Sequence, residues 1–329
     1  MKVLVLRFSS IGDIVLTTPV VRCLRKAHPD AEIHYATKKA YVSLLQANPY
    51  INKIHALGNS FSQLVQQLKA EKFDYVIDLH NNQRTLLLKW QLGVKSNSFS
   101  KLNFEKWLMV QFKINRLPAL HIVDRYIAAA KPLHVVNDGL GLDYFIPVEE
   151  EVNSKLMPEP FPKGYVAWVI GAKQNTKKFP VYKIISTIKL LGTKPVVLLG
   201  GPEDRVEAAT IQAELLNANI HLFNAVGAYS LNQSASLIRQ ATVVVTNDTG
   251  LMHIAAAFSK PIISIWGNTI PQFGMYPYTL APGAVMEVKG LSCRPCSKLG
   301  YSSCPKGHFK CMNEQSEDVL VQHVNRLFP

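Results

Sequence analysis

Residues 243–267, reading VVVTNDTGLMHIAAAFSKPIISIWG, constrain this chain more than any other stretch. An apolar run at 243–245 ends in the polar turn Thr246-Asn247-Asp248-Thr249-Gly250. A helical pattern follows at 251–258, and a second apolar run at 262–266 ends in Gly267. The order is strand, tight turn, helix, strand. It places a carboxylate, a hydroxyl and a glycine at a helix N-terminus, on the C-terminal edge of a parallel sheet. Nucleotides and phosphates bind there in α/β proteins, because the free amides of the first turn and the helix dipole favour negative charge. A phosphorylated ligand is the first expectation.

The same alternation runs along the rest of the chain. Strand-like runs at 3–6, 32–36 and 75–79 accompany a helical pattern at 13–27. After residue 162 the rhythm restarts: strand 165–170, helix 180–191, strand 196–199, helix 203–216. Strands alternating with helices predict parallel sheets. Between the halves, PVEEEVNSKLMPEPFP at 147–162 carries four prolines and an acidic cluster, and reads as a linker. The division predicted is 1–150 and 160–329, with the last helix free to return to the N-terminal domain. A length of 329 residues and 48% hydrophobic content suit two cores, and catalysis is expected in the cleft between them. Segment 99–113, with Phe104, Trp107 and Phe112, lies outside the rhythm. It reads as an ordinary amphipathic helix or as an insertion touching substrate or membrane.

A net charge of +13 favours anionic partners. With no arginine-rich tract and no RNA-binding aromatic signature, these are a phosphorylated substrate or a lipid surface, and not nucleic acid. The N-terminus lacks the pattern of a signal peptide, and no apolar stretch reaches the roughly 18 residues of a membrane span. The expectation is a cytoplasmic protein, with peripheral contact at the inner membrane left open.

The first strand ends in Ser9-Ser10-Ile11-Gly12-Asp13. Gly12 allows an unusual turn or a close approach. Asp13 opens the next helix, either facing the cleft or serving only as an N-cap. The three-glycine dinucleotide fingerprint is missing, which argues against a nicotinamide cofactor. In the second half, GAKQNTKKFP at 171–180 lies between a strand and a helix. Its Lys173, Lys177 and Lys178 suit a diphosphate, or are simply solvated. His253 falls on the first turn of the helix after Gly250. Cys293, Cys296, Cys304 and Cys311 are spaced C-x2-C-x7-C-x6-C, with His308 among them. In a reducing compartment this suggests a structural zinc, or a cluster of reduced thiols. Cys23, alone in a helix, reads as core.

Three blocks, RFSSIGDIVLTTPVVRCLRKAHPDAEIHYAT, AKQNTKKFP and NDTGLMHIAAAFSKPIISIWG, together resemble glycosyltransferase family nine. These are the bacterial ADP-heptose:lipopolysaccharide heptosyltransferases. The resemblance implies a GT-B fold of two Rossmann-like doubly wound domains, with acceptor on the first and donor on the second. It also implies inversion at the anomeric carbon, with no cofactor required for catalysis. Carried across, Asp13 matches the family's catalytic base and Lys177 the lysine on the donor diphosphate. Asp248, Thr249, Gly250 and His253 match the donor-binding turn, with Lys173 beside it. Ser10, Gly12 and Arg84 are acceptor-side candidates. Two departures stand out: Phe179 replaces the usual tryptophan before the proline, and His80-Asn81-Asn82-Gln83-Arg84 replaces a shorter Gln-Gly turn.

The expected activity is transfer of a sugar, heptose from ADP-heptose, to a phosphorylated glycolipid of the lipopolysaccharide core, by a monomeric enzyme. The alternatives are a transferase of the same family with another donor, a GT-B nucleotide-sugar epimerase, and a non-catalytic nucleotide-sugar-binding protein.

Overall fold

The computed structural model describes residues 1–328. The chain forms two compact units: Met1–Leu102 with Leu120–Pro147, and Asn103–Ala119 with the chain from Val148 onward.

The first unit contains β1 (Lys2–Leu6), α1 (Ile11–Val15), α2 (Thr18–Ala27), β2 (Glu32–Lys38), β3 (Lys53–Leu57), α3 (Phe61–Ala70), β4 (Tyr75–Asp78), α4 (Gln83–Leu92) and β5 (Ser96–Ser98). The segment α5 (Asn103–Phe112) belongs to the second unit, and α6 (Ile122–Ala129) to the first. The sheet is parallel, in the order β3-β2-β1-β4-β5. β1 is apolar almost without interruption, and Val3 to Leu6 are fully buried, as a strand covered on both faces must be. The helix expected over 13–27 is two helices. Pro19 falls in the first turn of α2, where its missing N–H costs nothing, whereas within one continuous helix it would break the ladder.

The second unit adds β6 (Val166–Val169), α7 (Val181–Leu191), β7 (Val196–Leu199), α8 (Arg205–Leu215), β8 (Leu222–Asn224), α9 (Leu231–Gln240), β9 (Val243–Asn247), α10 (Gly250–Ala257), β10 (Ile262–Trp266), β11 (Gly283–Glu287), α11 (Lys310–Asn313) and α12 (Glu317–Leu327). Its sheet, also parallel, runs β11-β10-β9-β6-β7-β8. Trp168, Ile184, Ile188, Ile211, Ile263 and Ile265 fill its core. The last helix packs on α7, β10 and β11 of this same unit, burying Leu320 and Val324.

The proline-rich stretch after Pro147 is not bare linker. It forms short 3-10 turns, and Glu150 and Glu151 bind Ser230, Asn232, Ser236 and Arg239 of α9 and its N-cap.

In both sheets strand order reverses once. β1 is followed by β2 and β3 on one side, then β4 and β5 on the other; β6 is followed by β7 and β8, then by β9 to β11. The loops leaving β1 and β4, and those leaving β6 and β9, diverge at these reversals. The crevices so formed are where doubly wound sheets bind ligands.

Candidate active site

In the first unit, the loop after β1 leads to Ser10, which caps α1, so Asp13 sits at the third helical position rather than opening the helix. Its carboxylate accepts from the Ser10 hydroxyl at 2.8 Å and the Ser10 amide at 3.2 Å, and pairs with Arg7 Nη2 at 2.7 Å. Burial pushes the Asp13 pKa up, but the Arg7 charge and the Ser10 hydrogen bonds outweigh it and hold the carboxyl below its ordinary value. Asp13 is therefore ionised at neutral pH. Gly12 is buried in the same turn.

Arg7 is the residue that sequence reasoning missed. Its Nη1 donates to Leu79 O at 2.6 Å and its Nε to Ser9 O at 2.6 Å, tying the loop after β1 to the loop after β4. The second loop is shaped by buried Asp78, which accepts from the amides of His80 and Asn81 and pairs with Lys89 at 2.9 Å. Asn82 then caps α4, leaving Arg84 exposed on its first turn. Burial, with Arg7 and Lys101 adding to it, lowers the His80 pKa to about 4, so His80 is neutral at pH 7. Arg84, Lys38, Lys39 and Phe61 line a concavity of about 420 Å³ at the C-terminal ends of β2 and β3. Another concavity of this unit, about 800 Å³ beside α6, holds none of these residues.

In the second unit, Lys177 ends a 3-10 turn in the loop after β6, and Asp248 follows β9. Lys177 Nζ lies 2.5 Å from Asp248 Oδ2, which also accepts from the Thr269 hydroxyl at 2.9 Å. The two sequence blocks thus meet in one ion pair. Asp248 holds the lysine, and the two remaining ammonium N–H groups are available to an anion. Thr249 is the N-cap of α10, with no hydrogen bond from its side chain to the helix amides. The first-turn amides of Gly250 and Leu251 have no helical partner to donate to. His253 is buried at 2% exposure on the first turn of that helix. Lys173 is exposed. Lys178 departs from the expectation of three phosphate-facing lysines. It is engaged by Asp204 at 2.7 Å and Glu207 at 2.9 Å, carboxylates that neutralise it.

Asn247 locks this arrangement. Its side-chain amide donates to Ile170 O at 2.9 Å and reaches Val169 O and Gly171 O, while its oxygen accepts from the Phe179 amide at 3.1 Å. A further brace comes from the cysteine-rich segment. Tyr301 exchanges hydrogen bonds with Thr176, the Cys296 amide donates to Asn268 O, and Arg294 donates to Gly267 O and Thr269 O while pairing with Glu287. α5 packs on the same segment, Lys113 donating to Pro295 O at 2.8 Å. Apart from the Arg294–Glu287 pair, each of these bonds joins residues far apart in the chain, so sequence spacing does not signal the partners.

Cys293 Sγ lies 3.9 Å from His308 Nε2. Burial, then the neighbouring thiols, push Cys296 up to about 11 and Cys311 up to about 12. Among the described residues, three metal-ligating atoms come within 4.8 Å of one another at His34, His55 and Glu71, and not in the cysteine segment. Cys23 is buried in α2.

Comparison with known proteins agrees with this architecture. Lipooligosaccharide heptosyltransferase 2 of Haemophilus ducreyi is 23% identical, the match covering 99% of both chains. A family 9 glycosyltransferase structure from Veillonella parvula superposes with a TM-score of 0.77 at 23% identity, covering 99% of this chain and 96% of that one. The Escherichia coli ADP-heptose lps heptosyltransferase II gives 0.74 at 21%, covering 99% and 98%. Residues 61–302 match the family model for glycosyltransferase family 9 (heptosyltransferase), and over that span, well above half its length, the chain belongs to this family.

Proposed function

We propose that the protein is an inverting glycosyltransferase that moves heptose from ADP-heptose to a phosphorylated inner-core lipopolysaccharide acceptor. The observation that carries this reading is that one strand reversal presents an ionised, mostly buried carboxylate and the other a lysine beside a helix N-terminus. Asp13 takes the proton of the acceptor hydroxyl as its oxygen attacks the anomeric carbon. The bond from that carbon to the diphosphate breaks on the opposite face. ADP leaves with its new charge met by Lys177 and the first-turn amides of α10. The basic concavity of Lys38, Lys39 and Arg84 suits the anionic groups of the acceptor. The Haemophilus ducreyi relative is named a heptosyltransferase and the Escherichia coli one an ADP-heptose lps heptosyltransferase, which supports the donor.

Incubation with ADP-heptose, with and without an inner-core acceptor, tests the reading: ADP release should depend on acceptor. Equal release without acceptor would point to hydrolysis or epimerisation, and none with either would leave a binding protein.

Two further elements belong to this reading. Peripheral membrane contact is supported by α5, where Phe104 and Phe112 are 63% and 59% exposed beside Lys106 and Lys113. Flotation with anionic vesicles, lost on Trp107→Ala with Phe112→Ala, checks it. The spacing of the four cysteines supports a structural zinc that draws their sulfurs together and displaces their protons. Metal content that falls on Cys293→Ser checks that.

A further inference from the structure

At the N-terminal edge of the first sheet, opposite the edge that carries Asp13, two histidines and a glutamate converge. His34 is on β2, His55 on β3, and Glu71 is the C-cap of α3. His34 Nδ1 is 3.0 Å from His55 Nε2; His34 Nδ1 lies 3.9 Å from Glu71 Oε2 and His55 Nε2 3.9 Å from Glu71 Oε1, and one ligand atom from each residue falls within 4.8 Å of the others. His34 and His55 are 0% and 5% exposed, and Phe73 packs edge-on against both rings. We propose that His34, His55 and Glu71 bind a divalent late first-row transition metal of the zinc class, clasping β2, β3 and the end of α3.

The donor set selects the ion. Two imidazoles and one carboxylate suit zinc and its neighbours, whereas calcium and magnesium require oxygen shells. With bonds of about 2.0–2.2 Å, a tetrahedral ion holds its ligand atoms roughly 3.3–3.5 Å apart. The nitrogens are closer than that span and a single Glu71 oxygen is farther, within 4.8 Å of both, so the carboxylate must swing inward by roughly 1 Å.

The tautomers are set from outside. His34 Nε2 lies 2.8 Å from Glu32 Oε1, and a carboxylate can only accept, so that nitrogen carries the proton and Nδ1 faces the site with its lone pair. A carboxylate behind a ligating imidazole is the usual support of such ligands. In the metal-free pair His55 Nε2 therefore donates to His34 Nδ1 at 3.0 Å, and metal binding would shift that proton to His55 Nδ1 and free Nε2 to ligate.

Lys2 and Lys53 compete with a metal for Glu71, at 3.1 and 2.5 Å. Lys53 is 55% exposed and can swing into water, while Lys2 bridges Glu71 and Glu32 and keeps both carboxylates aimed. Three protein ligands leave a fourth position for water. The distance in sequence and in the sheet from Asp13 makes the clasp a stabilising element rather than part of sugar transfer.

The test uses the full chain carrying Cys293→Ser and Cys296→Ser, stripped by chelator and titrated calorimetrically with Zn²⁺. One equivalent should bind, and the cobalt form should lack thiolate charge-transfer bands. Glu32→Gln should weaken binding about tenfold or more, the usual cost of losing such a support, and His55→Gln should abolish the site. Lys53→Met should tighten binding, because it removes the competing cation. If His55→Gln does not fold, Glu32→Gln and Lys53→Met decide. Absence of zinc binding, or binding indifferent to these substitutions, overturns the proposal.

Discussion

The two strand reversals present the same device with opposite sign. Each carries one ion pair and one buried polar side chain that staples the adjoining loop to its neighbour. In the first unit the pair is Arg7 with Asp13; in the second it is Lys177 with Asp248. In the first, the cation is the fixed member: Arg7 is 10% exposed and bonded to two carbonyls, and Asp13 is 18% exposed. In the second, the carboxylate is fixed: Asp248 is 11% exposed and held by Thr269, and Lys177 is 16% exposed. One edge thus offers a base and the other a cation. An ion pair at a crevice is ambiguous until the more deeply held partner is known, and the more exposed partner is the one to test.

The largest break in this comparison should come from Asp13→Ala. Loss of a general base is expected to lower turnover by roughly 10²–10⁴-fold, with ADP affinity unchanged. Near-normal turnover would make Asp13 a helix-capping residue and nothing more. The acid limb of kcat/KM should lie at lower pH than an ordinary aspartate would give, since Arg7 and Ser10 hold the folded carboxyl below its usual value. The sign for stability follows the same depression. Asp13 stabilises the fold above its unfolded pKa, and that contribution is lost as pH falls through the lower folded value.

The second break is Lys177→Met. A charge-assisted hydrogen bond is worth about 1.5–3 kcal/mol, so ADP should bind roughly 10–150-fold more weakly by calorimetry. Unchanged affinity would move the diphosphate elsewhere and remove the asymmetry between the two edges.

These two residues were legible in the sequence because each follows a strand and lies in a compact motif. The alternation of apolar runs with helices was sufficient for two parallel sheets, and β7 and β10 fall on their expected residues. The partners were not legible. Arg7 read only as the end of a strand, and Asn247 only as part of a turn. Their work consists of bonds to backbone carbonyls that sequence spacing does not encode. The short edge strands β5 and β8 lack an apolar run, because an edge strand has less to bury. The pairing of Lys178 with Asp204 and Glu207 turned one of three similar lysines away from the crevice, a choice made by tertiary contacts alone.

A third test acts on the staples. Asn247→Ala leaves the buried Phe179 amide without its acceptor and the carbonyls at 169–171 without their donor. The expected loss is about 1–3 kcal/mol, seen as a lower melting transition by calorimetry. ADP affinity should fall with it, because the same loop carries Lys177. A loss of stability without any loss of affinity would separate the staple from the lysine.

The smallest effect should come from Lys173→Ala. This lysine shares the loop with Lys177, but it is exposed, and among the described residues no ion pair aims it as Asp248 aims Lys177. A solvated ammonium gives up favourable hydration and side-chain freedom to meet a ligand, so its gain is of order 0–1 kcal/mol, as for exposed ion pairs. ADP affinity should therefore fall by no more than about fivefold, and the loss should fade as salt screens the charge. Lys177, already ordered by Asp248, has paid that entropy in the free protein, and its contribution should persist in salt. A Lys173→Ala loss as large as that of Lys177→Met would show that anchoring by Asp248 does not distinguish the two lysines.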